Sequence, residues 1–421
     1  PPTCLHSISR ATPFSTFCSK KKNREKEQGK KKKKTTMAVT TASAKPNLEV
    51  LKRRTRSERE FDEDYIKNFG DKDTHIPVLL GEVLDVFSPP FRLRSFIDCT
   101  LGAGGHSSAI IQAHPEMQSY IGLDVDPIAH EKAQSRINSL LNSTPGSSVG
   151  LKAHMLLQNF RDVKQVIRQV DEKLLASGVD GILMDLGMSS MQVDDAGRGF
   201  SMLSDGPLDM RMNPVASLKA EDILNSWPAT EVGRVLREYG EESSWYFLQN
   251  KIVKARQERG LHSTGELVDL IRSMTSRTKG GRQGWIKTAA RVFQALRIAV
   301  NDELKTLEDS LYSCFACLGP GGRLAVISFH SLEDRIVKQT FLNIINIQRE
   351  GDRVDCDEGG HGAEPTEVTD DDLVEKDAWI KQVVKGSTGI VLTRRPITAS
   401  LEEEKLNPRC RSAKLRVIQK V

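Results

Sequence analysis

The stretch that most narrows the fold is Ser95-Phe-Ile-Asp-Cys-Thr-Leu-Gly-Ala-Gly-Gly-His106. A short apolar run ends in Asp98. Gly102, Gly104 and Gly105 follow within four residues, and a second apolar segment runs from Ala109 to Ala113. The pattern predicts a strand, a tight loop and the start of a helix. Glycine accepts the left-handed backbone such a loop needs, and it lets the main chain approach a nucleotide-like ligand closely. The dinucleotide fingerprint G-x-G-x-x-G is not met, because it requires glycine at 107 and the chain has Ser107 there. A plain structural turn competes with the ligand-loop reading, and the flanking residues decide between them.

Around this loop, strand and helix patterns alternate. Ser95–Thr100 reads as a first strand and Ser119–Asp124 as a second, followed by a helix from Pro127, whose ring suits the first helical turn. Gly150–Leu157 reads as a third strand, with a helix over Val163–Ala176 behind it. Asp180-Gly-Ile-Leu-Met-Asp-Leu186 is the fourth. This order predicts an α/β domain with a parallel sheet covered on both faces. Ligands of such sheets sit beyond the carboxyl ends of the strands. The glycine loop, Asp124, Phe160 and Asp185 all fall there. Asp124 can accept hydrogen bonds from the two hydroxyls of a ribose, with Asp126 as the helix cap beside it. Phe160 can stack on an adenine ring, or pack in the core. Asp185 ends an apolar run, where it faces the crevice and can hold an amine; a loop cap is its bland alternative.

After Asp185 the pattern breaks. Gly187–Pro214 is a long aperiodic loop, and a loop of that length in a compact domain is usually functional. Helical periodicity over Leu218–Trp227, Ala229–Glu258 and Thr264–Met274 predicts an all-helical insertion. One long helix, Thr288–Leu318, then returns to the sheet. Arg323–Phe329 reads as strand five, followed by a helix over Ser331–Ile345 capped by Ser331 with Asp334 at the capping-box position. Gly389–Thr393 and Lys414–Ile418 close the sheet. His330 stands at the carboxyl end of strand five, where a catalytic and a structural role weigh equally. Arg291, Gln294 and Arg297 share a broad helix face that suits phosphate positioning, as does the Pro408–Lys414 turn.

The 421 residues suggest two domains plus appendages, and 38% hydrophobic content supports a real core. No run of 18 apolar residues exists, so no membrane helix is expected. The seven cysteines are scattered, which argues against a disulfide framework; Cys314 and Cys317 read as buried core thiols rather than metal ligands. No HExxH or Cys/His cluster points to a metal, and no GxxxxGK[ST] to a P-loop. The net charge of +5 is uneven. Residues 1–74 hold 19 Lys and Arg against 10 Asp and Glu, and residues 350–377 hold 12 acids against 2 bases. Residues 1–47 are basic, hydroxyl-rich and free of acids before Glu25, which predicts an organelle transit peptide, chloroplast ahead of mitochondrion. Residues 48–73 read as a linker or surface helix, and 350–378 as an acidic surface insert.

Several strings together resemble one family, the MraW-type ribosomal RNA cytosine-N4 methyltransferases. They are Asp98–His106, Asp124–Pro127, Asp180–Gly187, Arg198–Ser201, Asp205–Arg211, Thr288–Glu303, Ile327–Arg335 and Asn407–Arg416, and the likeness spans residues 74–421. The resemblance implies a class I, Rossmann-like S-adenosylmethionine-dependent methyltransferase fold. The methyltransferase domain would be split into 74–214 and 288–421 by a helical insertion at 215–287. By resemblance the cofactor contacts are Gly104, Gly105, His106, Asp124, Phe160, Asp185 and Gln192. The implied substrate is a decoding-centre cytidine of bacterial-type small-subunit ribosomal RNA, free or in the small subunit, with self-association into a homodimer as a further option and neither membrane nor metal involved. The family's Ser-Ser-Pro-Gln stands here as Ser189-Ser-Met-Gln192, which keeps the glutamine. For the chemistry, Asp185 and the Ser189–Ser190 backbone are expected to orient the amine, with Asp209 or His330 as proton acceptor. The alternatives are a methyltransferase-fold ribosome assembly factor that works by binding, or a methyltransferase on another RNA, a protein or a small molecule.

Overall fold

The computed structural model describes residues 55–60, 62–70, 76–143, 150–275, 282–346, 379–380 and 382–421. The basic segment 1–47 and the whole acidic stretch 350–378 lie outside the described residues. The expected surface helix before residue 73 is α1 (Glu63–Asn68). It is followed by α2 (Leu80–Phe87), β1 (Ser95–Asp98), α3 (Gly105–Ala113), β2 (Ser119–Asp124), α4 (Pro127–Ser143), β3 (Lys152–Leu157), α5 (Val163–Val170), α6 (Glu172–Ser177), β4 (Val179–Asp185) and a short α7 (Ser190–Asp194). The helical insertion contributes α8 (Ala220–Ser226), α9 (Ala229–Glu238), α10 (Trp245–Glu258) and α11 (Thr264–Thr275). The chain returns through α12 (Arg282–Asn301), α13 (Glu303–Cys317), β5 (Leu318–Ser328) and α14 (Ser331–Ile345). It ends with β6 (Val384–Lys385), β7 (Gly389–Val391), α15 (Leu401–Leu406) and β8 (Lys414–Lys420).

The eight strands form one sheet in the order β3-β2-β1-β4-β5-β8-β7-β6. The first five are parallel; β8 runs antiparallel to β5 and to β7. The central strands carry near-continuous apolar runs because both faces are covered. One apolar cluster packs α2 to α4 against one face, and a second packs α5, α13 and α14 against the other. Cys99, Cys314 and Cys317 lie in the second cluster, so the CxxC pair is core, as its apolar helical setting implied. From β1 the chain moves outward through β2 and β3, then crosses to β4 on the other side. The crevice between the carboxyl ends of β1 and β4 is therefore the topological switch point.

Four elements differ from expectation. The single helix read over Thr288–Leu318 breaks between α12 and α13 at Asp302, which takes a left-handed backbone at φ 48°. The side chain of Asn301 stabilises the break: its amide donates to the Met210 and Arg297 carbonyls, and its oxygen accepts from the Met212 N–H. The helix read over Ala229–Glu258 breaks between α9 and α10. Gly240 packs there so closely that a Cβ would meet the Leu236 carbonyl at 2.7 Å. The helix read over Val163–Ala176 is split at Asp171, whose side chain caps α6 through the Lys173 N–H. The cap of α14 is His330 rather than Ser331, with Glu333 rather than Asp334 closing the capping box. The helical layer is also wider than 215–287. Its core includes Phe200, Leu208 and Met210 from the long loop and Val292, Phe293, Leu296 and Val300 from α12.

The C-terminal turn fastens the chain's entry into the domain. Leu79, at φ 54°, donates its N–H to Glu403 Oε1 at 2.7 Å. Burial and then the neighbouring Glu82 push the Glu403 carboxyl up to about 7. A raised folded-state value means that wild-type stability declines as pH rises from the ordinary glutamate range to about 7. Glu403→Gln keeps an acceptor for Leu79 and removes the buried charge. Thermal unfolding should show the variant matched to wild type near pH 4.5 and more stable by about 1–3 kcal/mol at pH 8. A gain that is equal at both values would exclude this cause.

Candidate functional site

A cavity of about 1050 Å³ lies over the carboxyl ends of the central strands. Its walls include the glycine loop, the start of the loop after β4, the α12–α13 break and the turn before α14. Gly105, His106, Asp124, Phe160, Asp185, Ser189, Ser190, Gln192 and His330 all line it. Gly104 and Asp209 are not among the lining residues. Gly104 sits behind the loop at φ 75°, where a Cβ would press on Ala133 of α4 at 3.3 Å. Its lack of a side chain allows this close packing.

Asp124 holds the loop in place. Its Oδ2 accepts from the Gly102 N–H and its Oδ1 from the Asp126 N–H, both at 2.8 Å. Burial raises its carboxyl above the usual range. Each oxygen retains a second lone pair, so hydroxyls in the cavity can still be accepted. Phe160 opens a short 3₁₀ turn capped by Asn159 and is half-buried at the cavity edge. Ser107, at the position where the dinucleotide motif needs glycine, is fully buried and employed: its hydroxyl donates to Asp98 Oδ2 at 2.5 Å and accepts from the Tyr120 hydroxyl at 2.7 Å. Burial pushes Asp98 up to about 6.

Asp185 is positioned by its own N–H, which donates to Thr100 Oγ1 at 2.6 Å. Its Oδ1 is buried and has no hydrogen-bond partner. Its Oδ2 lies 3.6 Å from His106 Nδ1, while Nε2 of the same ring is 2.9 Å from the Val78 carbonyl. A carbonyl only accepts, so Nε2 carries the proton. His106 thus meets the cavity through its ring as well as its backbone. Enclosure, then the charges of Asp98 and Glu333, raise the Asp185 carboxyl well above the usual range. A carboxyl of raised proton affinity in a cleft is the expected mark of a functional group.

The loop after β4 is tied down by a residue that the sequence suggested only as a cap. Asp126 does cap α4, accepting from the Ile128 N–H at 3.0 Å. Its other oxygen accepts from Gln192 Nε2 at 2.9 Å and Arg198 Nη1 at 2.7 Å. Arg198 in turn donates to the Arg211 and Met212 carbonyls. Gln192 also completes a capping box with Ser189 at the start of α7. Both ends of its amide are used within the protein, so it shapes the cavity wall. Arg409, from the Pro408–Lys414 turn, reaches the hydroxyl of Ser190 and the carboxylate of Asp194.

Two expected proton acceptors are not available. Asp209 lies away from the cavity with both oxygens held by Arg211 at 2.6 and 2.8 Å. Burial alone would raise its carboxyl, but the Arg211 contacts outweigh burial and hold it below the usual range. Both ring nitrogens of His330 face Glu333: Nδ1 is 3.4 Å from its backbone N–H and Nε2 2.9 Å from its Oε1. The basic face expected on the long helix is also otherwise occupied. Arg297 is buried and grips both oxygens of Glu303 at 2.8 Å, Gln294 donates to the Tyr239 carbonyl, and Arg291 leans towards Glu242 at 3.5 Å. Glu303, His330 and Glu333 each present a ligand-type atom within 4.8 Å of the others. Arg297, paired with Glu303 and 3.8 Å from Glu333, already supplies the positive charge a cation would bring.

The doubly wound sheet, a glycine loop pinned by an acid at the end of β2, and a buried carboxyl at the end of β4 match the class I fold of the S-adenosylmethionine-dependent methyltransferases. The chain belongs to the MraW methylase family, whose model matches residues 72–369. It is 41% identical over 350 residues to ribosomal RNA small subunit methyltransferase H of Heliobacterium modesticaldum, covering 82% of this chain and 98% of that protein. The Heliobacterium mobile protein of the same name is 42% identical over 351 residues, covering 82% and 99%. Among solved structures, an rRNA methylase from Streptococcus thermophilus is 8% identical with a TM-score of 0.34, covering 83% of this chain and 99% of that one. The cavity lining suits the chemistry of that cofactor: Asp124 offers carboxylate oxygens, Phe160 an aromatic face and Asp185 a carboxyl.

Proposed function

We propose that this protein methylates the exocyclic N4 of a cytidine in the decoding region of a bacterial-type small-subunit ribosomal RNA inside an organelle, the chloroplast before the mitochondrion. The observation that carries this reading is the carboxyl of Asp185, which lines the cavity beside the glycine loop and whose proton affinity burial raises. A cytosine amine offers two N–H donors and has its lone pair delocalised into the ring, so transfer depends on alignment and on a group that takes a proton. S-adenosylmethionine supplies the methyl group from a positively charged sulfonium. The Asp185 carboxyl accepts one N4 hydrogen and holds the amine against the Ser189–Ser190 segment. With Asp209 and His330 engaged elsewhere, Asp185 is also the group that takes the released proton, which its raised proton affinity favours.

The names of the relatives support ribosomal RNA as the substrate class. The motifs Asp180–Gly187 and Ile327–Arg335 support cytosine N4 as the target, and the hydroxyl-rich basic start supports the organelle. The base must be unpaired or flipped to reach a cleft beyond the strand ends. Mass spectrometry of chloroplast small-subunit RNA from cells lacking this protein should show N4-methylcytidine lost at one position and restored by the wild-type gene. Unchanged methylation would overturn the reading.

A further inference from the structure

The cations on the cavity wall include Lys132, Arg161, Arg297 and Arg409. Arg297 is buried and occupied by Glu303. Lys132 and Arg161 belong to the elements that follow β2 and β3, as Asp124 and Phe160 do, and Arg161 donates to Asp302 and Thr306. Arg409 differs. It stands on the Pro408–Ser412 turn between α15 and β8, and its Nη1 donates to the Ser190 hydroxyl. Its side chain is 44% exposed, so the guanidinium meets both water and the cavity. Its second partner, Asp194, lies 3.3 Å from Nη2 and is 54% exposed, and a pair so open to water holds weakly. A guanidinium has five N–H donors, and these contacts use two. The turn beneath it is fixed. Asn407 Oδ1 accepts from the Arg409 N–H at 3.1 Å, the Asn407 amide donates to the Ile76 carbonyl at 3.1 Å, and Cys410 and Ala413 are buried. Arg411, two residues further on, is exposed and has no hydrogen-bond or ion-pair partner among the described residues.

We infer that the Pro408–Ser412 turn is a phosphate clamp for the RNA strand at the cavity rim, with Arg409 on the phosphodiester beside the target base and Arg411 on another phosphate of the same strand. This rests on the RNA reading above and adds how the strand is held. A base cannot enter a cleft without its ribose and phosphates. The phosphodiester stays charged, and taking it out of water without a cation is costly. It therefore remains at the rim, where a half-exposed cation can meet it. A guanidinium presents parallel N–H groups to two phosphate oxygens, and here the turn has already ordered it. Asp194 returns to water as the phosphate arrives, a small loss for an exposed pair. The contact with Ser190 ties the clamp to the segment that holds the amine. Phosphate contacts carry no sequence information, so the clamp sets the position of the strand and leaves the choice of base to other groups.

Salt dependence separates a phosphate contact from a structural brace. The probe is a fluorescent single-stranded fragment of small-subunit RNA carrying the target cytidine, bound by the full chain across a salt series, with methylation of the same RNA measured alongside. Each phosphate contact on a single strand contributes about 0.7 to the slope of log affinity against log salt. Arg409→Gln and Arg411→Gln should each lower that slope by about 0.7, and the double variant by about 1.4. Arg409→Gln should also bind the RNA about 10-fold more weakly, whereas Arg409→Lys keeps the charge and the slope. Arg411 makes no contact that holds the fold, so its variant stays informative if Arg409→Gln folds poorly, and cofactor affinity reports integrity for both. Slopes that stay at the wild-type value in both Gln variants, whether or not affinity falls, overturn the inference and leave RNA methylation standing. Wild-type protein that neither binds nor methylates the RNA overturns the functional reading and this inference with it.

Discussion

Asp185→Asn should lower the rate of methyl transfer by about 10²- to 10⁴-fold, the usual contribution of a positioned proton acceptor, while making the protein more resistant to heat. The two effects have one origin. Asp185 sits in an enclosed site near Asp98 and Glu333, and its carboxyl is raised well above the ordinary range. Asparagine keeps the shape and one acceptor oxygen, but it cannot take a proton and carries no charge to bury. A raised folded-state value makes wild-type stability fall as pH rises above the ordinary aspartate range, whereas the amide does not titrate. The variant's thermal advantage should therefore be absent at pH 4 and present at pH 8. Single-turnover methylation and thermal unfolding on the same preparation check both halves. Normal turnover in a correctly folded Asp185→Asn protein would remove Asp185 from the chemistry.

The second large effect is structural. Asp126→Ala removes the acceptor shared by Gln192 and Arg198 and the cap of the Ile128 N–H in one step. Asp126 is 1% exposed and the Arg198 side chain 14%, so the arginine would be left as a nearly buried charge without its counter-ion. Breaking a buried pair by deleting one partner costs about 3–5 kcal/mol. Urea unfolding should show a loss of this size. Asp126→Asn, which keeps an acceptor for one of the three donors, should lose less. A loss below about 1 kcal/mol for Asp126→Ala would mean that the loop after β4 is held by its packing on the helical layer instead.

Much of the architecture was legible because parallel, doubly covered strands must be continuous apolar runs, and here those runs end in acids. Asp98, Asp124 and Asp185 each close a strand, and the structure places all three at one end of the sheet. What was not legible depends on backbone breaks that tertiary contacts create. Arg297 and Glu303 are six residues apart, which on one unbroken helix would set them about 120° apart and too far along the axis to pair. The left-handed turn at Asp302 folds them together, and that turn is held by Asn301 reaching carbonyls around residue 210 and one turn back. No local signal reports such a contact. The capping shift from Ser331 to His330 is a single residue in sequence, yet it turns the imidazole towards the backbone of α14. The tie from Asp126 to Arg198 spans 72 residues and hides behind a motif that already had a sufficient local explanation, the cap before Pro127.

Ser107 first marked what the glycine loop is not. Its hydroxyl stands between Tyr120 on β2 and Asp98 at the tip of β1. Replacing it with the glycine of a dinucleotide loop would leave the Tyr120 phenol and one oxygen of the Asp98 carboxylate without that partner in a sealed interior, each orphaned group costing about 1–3 kcal/mol. The two kinds of loop are therefore not neighbours in mutational space, however similar they look on paper. A descendant of this chain could reach the other ligand class only by also changing the buried residues at 98 and 120, so the hydroxyl acts as a lock on the lineage's choice of cofactor.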